Sequence, residues 1–574
     1  MRRHVENGGL TVRAIAGNHA VFLGFDLTDE ARDGCLGFAL RREDLTDHTS
    51  RWLSGFKTFK SQVPAPALTA VYQTEAQPIQ SMWWGDYTAK PGRPYRYTVL
   101  PRYGTPAALT SRDTVSATIE VTTNDPATGV HGLYFNRGVA ASQAYAARFG
   151  GAPDNLPPDQ RAEAMAWLSR GLHEALIAFI TDGASASLAI RAAIYEFTEP
   201  TVLAAFARAQ AAGADVKIVY HAKGEAGLAN EAAIQAAVQT AQLDRSMLIP
   251  RTHPVIAHNK FLIRADRADD GTLTPAQVWT GSTNLTQGGI FGHSNVGHVV
   301  RDAAVAQRFL DYWTVLAGDP ARPALQEWTD IHSPFDAGAL GAAGIHPIFS
   351  PRTGLDPLDW YATGFAAWPA STHITLPFGL DDKHFEAQLA AARTPGVLRF
   401  VLLDRRDNNQ PLWSGDPMVQ VAVGALGEPD PLTGWAAEHL TGFNEHALYL
   451  HTKVLLLGPL TATPITISGS ANFSEASTVK NDENMLVITG DTEVADVYFT
   501  EYHRIFDHFY ARWWARRLQL RNPDAHDYLT EDDSWQQPYW NPRSPKCARR
   551  ILYSGNGGND GTGPAQDQPS CRDR

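Results

Sequence analysis

The sequence predicts an α/β protein made of two matching halves, with an all-β region ahead of them. Three observations carry that expectation. Up to about residue 125, apolar residues recur at every second position between turns rich in Gly and Pro, as in half-buried strands. From about residue 126, helical and strand patterns alternate, as in α/β units. One motif also occurs twice. His258-Asn259-Lys260 runs into Phe261-Leu262-Ile263 and then Gly281-Ser282-Thr283-Asn284; nearly two hundred residues later His451-Thr452-Lys453 runs into Val454-Leu455-Leu456-Leu457 and then Gly469-Ser470-Ala471-Asn472.

In the first region, residues 1–125, the segments Thr11–Ile15, Ala20–Phe25, Tyr95–Val99 and Ser116–Val121 alternate and read as strands. The run Pro94–Pro101 is similar to a late strand of a fibronectin-type sandwich. No spacing there suits catalysis, so this region reads as a packing or targeting module. The first α/β half covers 126–330. It predicts a helix over Ala162–Ile180, a strand over Leu188–Tyr195, a helix over Pro200–Ala212 with Gly213 past its end, and a strand over Val216–Tyr220. After the first motif, a helix over Asp302–Leu316 sets Val305, Phe309, Tyr312 and Leu316 on one face. The second half, 331–520, repeats the order: strand Thr372–Leu376, helix Asp381–Arg393, strand Leu398–Leu403, the second motif leading through Ile465–Ile467, strand Glu483–Ile488, and helix Glu493–Phe509. Residues 521–574 lose pattern and read as a partly disordered C-terminal extension, with a mobile tail around Gly555–Gly561.

Composition narrows the function classes. Lys and Arg number 49 against 61 Asp and Glu, a net charge of −12, which is not the basic balance of a typical nucleic-acid binder. No apolar run approaches the roughly 20 residues of a membrane-spanning helix. Met1–Asn7 carries Arg2 and Arg3 but no apolar segment follows, so no signal peptide is read; a cytoplasmic location is expected, with peripheral membrane contact compatible with it. Cys35, Cys547 and Cys571 make no disulfide framework; reduced thiols are the expectation, and a Cys547–Cys571 pair is the alternative.

The duplicated motif carries the chemistry. Side chains at i and i+2 of a strand point the same way, so His258 and Lys260 share a face, as do His451 and Lys453. An imidazole beside an ammonium at a strand entry is fit to grip a phosphate. One His can attack phosphorus while a second protonates the leaving oxygen. Two lysines and two amides can neutralise the other phosphate oxygens as charge builds. Either fragment alone is an ordinary surface pair or turn; two copies in the same order point to one site assembled from two halves. No cofactor is called for, and no carboxylate cluster of the kind a two-metal phosphodiesterase uses accompanies the motif. His221, His253, His293 and His298 have no metal-ligand spacing and read as structural or loop histidines. Arg405-Arg406 reads equally as a contact to an anionic substrate or as a solvated loop, and Trp513-Trp514 as packing.

These residues resemble the phospholipase D superfamily, whose signature is H-x-K-x4-D followed by G-S-x-N. The resemblance covers roughly 150–515. It implies two α/β sandwich halves related by a pseudo-two-fold axis, with one site at their interface. It further implies that His258 is the nucleophile forming a phosphohistidine and that His451 is the general acid and then the base for water. Lys260, Lys453, Asn284 and Asn472 would hold the phosphate, with Ser282 and Ser470 in support. Glu483 matches an acidic position that orients a site His, and its first-half counterpart is Asn295. The signature Asp is missing from both copies: Ala265 and Gly458 stand in its place, and Asp266 is one residue late, on the other face of the strand.

The resemblance implies a metal-independent phosphodiesterase that hydrolyses or transesterifies a phospholipid head-group ester. The alternatives are a nuclease acting on DNA or RNA with the same two-histidine site, and a binding protein with a degenerate site. Net charge and the absence of basic runs favour lipid over nucleic acid. Because one chain carries both motif copies, no oligomer is required.

Overall fold

The computed structural model describes residues 1–66, 70–138, 142–222, 230–379, 384–385, 387–405, 415–425, 449–521 and 528–555. Its N-terminal region holds two main antiparallel sheets, besides a two-stranded pairing of Ser54–Gly55 with Tyr72–Gln73. One orders Arg2–Asn7, Leu10–Ala16, Val21–Leu27 and Trp83–Asp86; the other orders Ala108–Thr110, Pro94–Thr105, Gly37–Asp44 and Thr49–Trp52, with Ala117–Thr122 also on Pro94–Thr105. Val12, Phe25, Phe38, Leu40, Tyr97 and Ile119 share one core between them. Period-two alternation is plain along Pro94–Thr105, where only one face is covered. Val21–Leu27 is instead buried at every position. Its second face receives two helices from the far end of the chain: the Phe22 ring meets Phe499 at 5.4 Å and Tyr553 at 4.8 Å.

The two halves match strand for strand. The first sheet runs His131–Phe135, Val296–Val300, Leu273–Gly281, Lys260–Arg267, Leu188–Ile194, Asp215–His221, Leu248–Arg251. The second runs Gly344–Ser350, Glu483–Thr489, Ile465–Gly469, Val454–Leu457, Thr372–Leu376, Arg399–Arg405, Val419–Ala425. In each sheet the first four pairings are antiparallel and the last two parallel. A central core draws Phe261, Phe309 and Tyr312 from one half together with Phe349, Leu456 and Phe506 from the other. Each sheet has a separate outer core against its own helices, including Pro200–Ala211 in the first half and Asp356–Ala367 in the second. Leu188–Ile194 and Glu483–Thr489 are buried at every position, so apolar residues fall on both of their faces instead of alternating.

Several expectations need correction. The helix read over Ala162–Ile180 is two helices, Pro158–Ser169 and Leu172–Thr181. Between them Arg170 and Gly171 take left-handed conformations with φ of 53° and 92°. The break delivers the Arg170 guanidinium to Glu501 in two buried hydrogen bonds of 2.8 Å, a fork-to-carboxylate match that a continuous helix would misdirect. The edge strand His131–Phe135 went unread. Of the helix expected over Asp381–Arg393, the described part is Ala387–Ala392, after residues 384–385. The closing helix runs Thr492–Arg521, well past Phe509; the Trp513 and Trp514 side chains lie outside the described residues.

The C-terminal extension is not patternless over 528–555. A turn of 3₁₀ helix, Asp533–Tyr539, and an α-helix, Pro545–Ser554, lie against the N-terminal sheets. Trp535 donates its indole N–H to the Cys35 carbonyl at 2.8 Å, and buried Arg550 pairs with buried Asp26. A short, strongly amphipathic segment full of Arg hid this packing from a search for apolar runs. The Gly555–Gly561 tail lies outside the described residues after Gly555. Cys35 is free and buried, whereas Cys547 is disulfide-bonded, so the expectation of reduced thiols fails there; Cys571 lies outside the described residues. No helix among the described residues is long and apolar enough to cross a membrane.

Candidate functional site

Each motif histidine is pinned by the opposite half. Ala257 and Asp482 form a parallel bridge, as do Ser294 and Leu450. The His258 backbone N–H donates to the Asp482 carbonyl at 2.9 Å, and the His451 N–H donates to the Ser294 carbonyl at 3.0 Å. The G-S turns have a steric reason. A Cβ on Gly281 would sit 2.3 Å from the Val296 carbonyl oxygen, and one on Gly469 would sit 2.3 Å from that of Asn484. With glycine there, the serines close onto the neighbouring strand: the Val296 N–H donates to Ser282 Oγ at 3.1 Å, and the Asn484 N–H to Ser470 Oγ at 3.0 Å.

The polar partners then become unequal. His258 Nδ1 lies 2.9 Å from both oxygens of Glu483, and Ser470 donates its hydroxyl to the same carboxylate at 2.7 Å. His451 Nδ1 instead lies 3.1 Å from the Ser282 carbonyl and 3.1 Å from Asn295 Oδ1, to which Ser282 donates at 2.8 Å. All these partners accept, so both rings carry hydrogen on Nδ1 and keep Nε2 for chemistry. Lys260 and Lys453 fold back so that each Nζ donates to the carbonyl of its own motif histidine, at 2.7 and 2.8 Å. Beneath them Asn484 joins the halves: it donates to Asn259 Oδ1 at 2.8 Å and accepts from Thr280 at 2.5 Å.

Burial dominates the electrostatics. It holds His258 down at about 4, with Lys260 and Lys453 acting the same way against the upward pull of Glu483. Burial also holds His451 well below the usual histidine value, reinforced by Lys453, His293, Lys260 and His258. Lys260 is pushed down to about 8 by burial, opposed by Glu483 and Glu196, and Lys453 is held well below the ordinary lysine value by burial and by Lys260, opposed by Glu483. Burial alone would raise Glu483, but His258, Lys260 and the Ser470 hydroxyl hold it below the usual carboxylate value. The result is an ionised carboxylate facing a neutral imidazole in a buried site, which favours any step that makes that imidazole cationic.

The structure brings His258, Lys260, Ser282, His451, Lys453, Ser470 and Glu483 into one buried cluster. Asn284 borders it, donating to Glu196 at 2.6 Å, and Asn472 shares a narrow cavity with Glu483 and Asn484. Sequence reasoning passed over Glu196, Tyr195 and Phe378. The Tyr195 ring lies 5.0 Å from that of His258, and Lys260 Nζ is 5.3 Å from the Tyr195 ring centre. Phe378, 58% exposed, is 6.0 Å from the His451 ring and 5.7 Å from Lys453 Nζ. These residues lie just past the strands paired with the motif strands, so the register of the duplication was a signal that could have found them.

The other candidates disperse. His253 sits on Asp319, His298 contacts His131 and Tyr498, and His221 accepts from the Ala257 N–H. Only His293 reaches the cluster, with its ring 4.8 Å from that of His451. Arg405 is exposed beside Asp404, and Arg406 lies outside the described residues. Asp266 is exposed next to a bulge between Arg264 and Ala265, and Gly458 occupies a turn with φ of 56°. Neither replaces the absent motif carboxylate.

No curated protein sequence matches the chain. The model of a family described as cardiolipin synthase, PLD-like domain, matches residues 180–314, the segment that holds the first motif. Among solved structures, the phospholipase D family member Nuc from Salmonella typhimurium is 25% identical, with 26% of this chain and 87% of that one covered and a TM-score of 0.21. Phosphatidylserine synthase of Haemophilus influenzae is 14% identical, with 62% and 91% covered and a TM-score of 0.40. NucT from Helicobacter pylori is 17% identical, with 29% and 98% covered and a TM-score of 0.22.

Proposed function

This chain belongs to the phospholipase D superfamily, and on that premise we propose that it is a metal-independent phosphodiesterase working through a phosphohistidine at His258. The observation that carries the reading is the inequality of the two histidines. His258 has a buried carboxylate on Nδ1; His451 has only a carbonyl and an amide oxygen. In the first step His258 Nε2 forms a bond to phosphorus as the bond to the leaving oxygen breaks. The imidazole keeps its Nδ1 hydrogen and becomes cationic, and Glu483 offsets that charge. His451 gives its Nε2 proton to the departing alcohol. In the second step water attacks phosphorus, His451 takes the water proton, and the bond to His258 breaks. An entering alcohol in place of water gives exchange instead of hydrolysis.

Both histidines are held low in the free site. A bound phosphate monoanion sets negative charge among Lys260, Lys453 and the rings and raises their values, so His451 acquires its acid proton together with the substrate. Asn284, Asn472, Lys260 and Lys453 are the groups that hold the phosphate oxygens. A phospholipid is the substrate class favoured here. The supports are the net charge of −12 and the exposed Phe378 ring beside Lys453, which offers apolar surface at the edge of the anion site.

The test offers the purified protein phosphatidylcholine and phosphatidylglycerol vesicles, single- and double-stranded DNA, RNA and bis-p-nitrophenyl phosphate, all in EDTA. Head-group release with no nucleic-acid cleavage is expected. Cleavage of nucleic acid alone assigns the same site to a nuclease. Loss of every activity in chelator refutes the metal-independent mechanism.

A further inference from the structure

The two halves differ at a position that the duplicated topology makes equivalent. Ile194 lies opposite Lys260 across their ladder. Ile374 lies opposite Leu455, and extending that register sets Leu376 opposite Lys453. Two residues beyond each stand Glu196 and Phe378. Glu196 accepts a 2.6 Å hydrogen bond from the Asn284 amide nitrogen, and Phe378 has no group that can do the same for Asn472.

That bond settles the orientation of Asn284. A carboxamide presents nitrogen or oxygen with nearly the same shape, and only its partners decide which faces where. The amide nitrogen is the atom that donates to the Glu196 carboxylate oxygen, so the NH2 group faces Glu196. The second N–H is then left for a phosphate oxygen. Asn284 Oδ1 and Asn472 Oδ1 are both buried with no partner among the described residues. For either amide, the flipped rotamer would set an oxygen toward the phosphate oxygens and repel them. Asn284 has a device against that flip; among the described residues, nothing does the same for Asn472.

We propose that Glu196 is a positioning residue that locks Asn284 as a hydrogen-bond donor to the substrate phosphate, so that the grip on the phosphate is pre-set on the His258 side. The proposal rests on the phosphodiesterase reading above. It assigns Glu196 no contact with substrate; its effect passes through Asn284.

The experiment is a double-mutant cycle on kcat/KM with bis-p-nitrophenyl phosphate at pH 6. At that pH Lys260, held at about 8, keeps its proton even if loss of the nearby carboxylate lowers it by about one unit. Glu196→Ala is expected to lower kcat/KM about 10- to 100-fold, the range for losing a hydrogen bond to a charged group. Glu196→Gln keeps an acceptor and is expected to stay within about fivefold of wild type. In an Asn284→Ala background, Glu196→Ala should cost less than about twofold more, because its target is gone. An equal loss in that background, or no loss in Glu196→Ala alone, overturns the proposal. A merely structural role gives the additive result. If wild-type protein cleaves no phosphodiester at all, it is the phosphodiesterase reading that fails.

Discussion

Replacing Glu483 by Gln removes the one carboxylate bonded to a motif histidine among the described residues, while keeping shape and an acceptor for the Ser470 hydroxyl. The carboxylate faces His258 Nδ1 with both oxygens at 2.9 Å, and it is fully buried. A charge-assisted hydrogen bond of this kind is worth about 1.5–3 kcal/mol. It strengthens as His258 turns cationic on phosphorylation, so most of it falls on the transition state for phosphoenzyme formation. At about 1.4 kcal/mol per decade, Glu483→Gln should slow that step by roughly 10- to 150-fold. Stopped-flow release of p-nitrophenol from bis-p-nitrophenyl phosphate reads the step directly, with a melting curve to show that the variant is folded. A well-folded Glu483→Gln protein whose burst is within twofold of wild type would refute the assignment of His258 as the residue that becomes charged.

Three other outcomes follow from the same geometry. His258 must be neutral to attack, and it is held at about 4, so the acid limb of kcat/KM should lie near 4; His451 must take up its acid proton with the substrate and is itself held low, so kcat/KM should already decline with rising pH before Lys260 loses its proton at about 8. An acid limb at the ordinary histidine value of about 6.5, measured across pH 3.5 to 9.5, would contradict the buried, cation-flanked environment. Lys453→Ala should raise KM and lower kcat together, since its charge serves both bound phosphate and transition state; an unchanged KM in steady-state assays counts against its contact with phosphate. Arg550→Ala takes the guanidinium away from buried Asp26. Urea unfolding should show a loss of about 1.5–3 kcal/mol, the scale for losing a charged hydrogen bond, and a loss below about 1 kcal/mol would mean that the C-terminal helix is not anchored there.

Much of this was legible in the sequence because the protein repeats itself. Each H-x-K could be placed on a central strand, and each G-S on the next, because the apolar runs Phe261–Ile263 and Val454–Leu457 that follow the lysines are what burial on both faces requires. The asymmetry of Glu483 and Asn295 was also readable from the alignment of the copies. What stayed hidden has physical causes. The break at Arg170 depends on an ion pair with Glu501, more than three hundred residues away, and local helix propensity cannot report it. The helix Pro545–Ser554 is short, and its Arg549 and Arg550 are buried by partners supplied by other elements. Glu196 and Phe378 have no motif of their own; they acquire meaning only when strand register sets them beside Asn284 and Lys453.

The central claim is that one site with two unequal histidines forms its covalent bond at His258. His451→Ala, incubated with bis-p-nitrophenyl phosphate in EDTA, quenched in alkali and mapped by mass spectrometry, tests it most directly. The account predicts an aryl phosphate adduct on the peptide carrying His258, and none in His258→Ala. An adduct at another residue, or one that persists in His258→Ala, would contradict it.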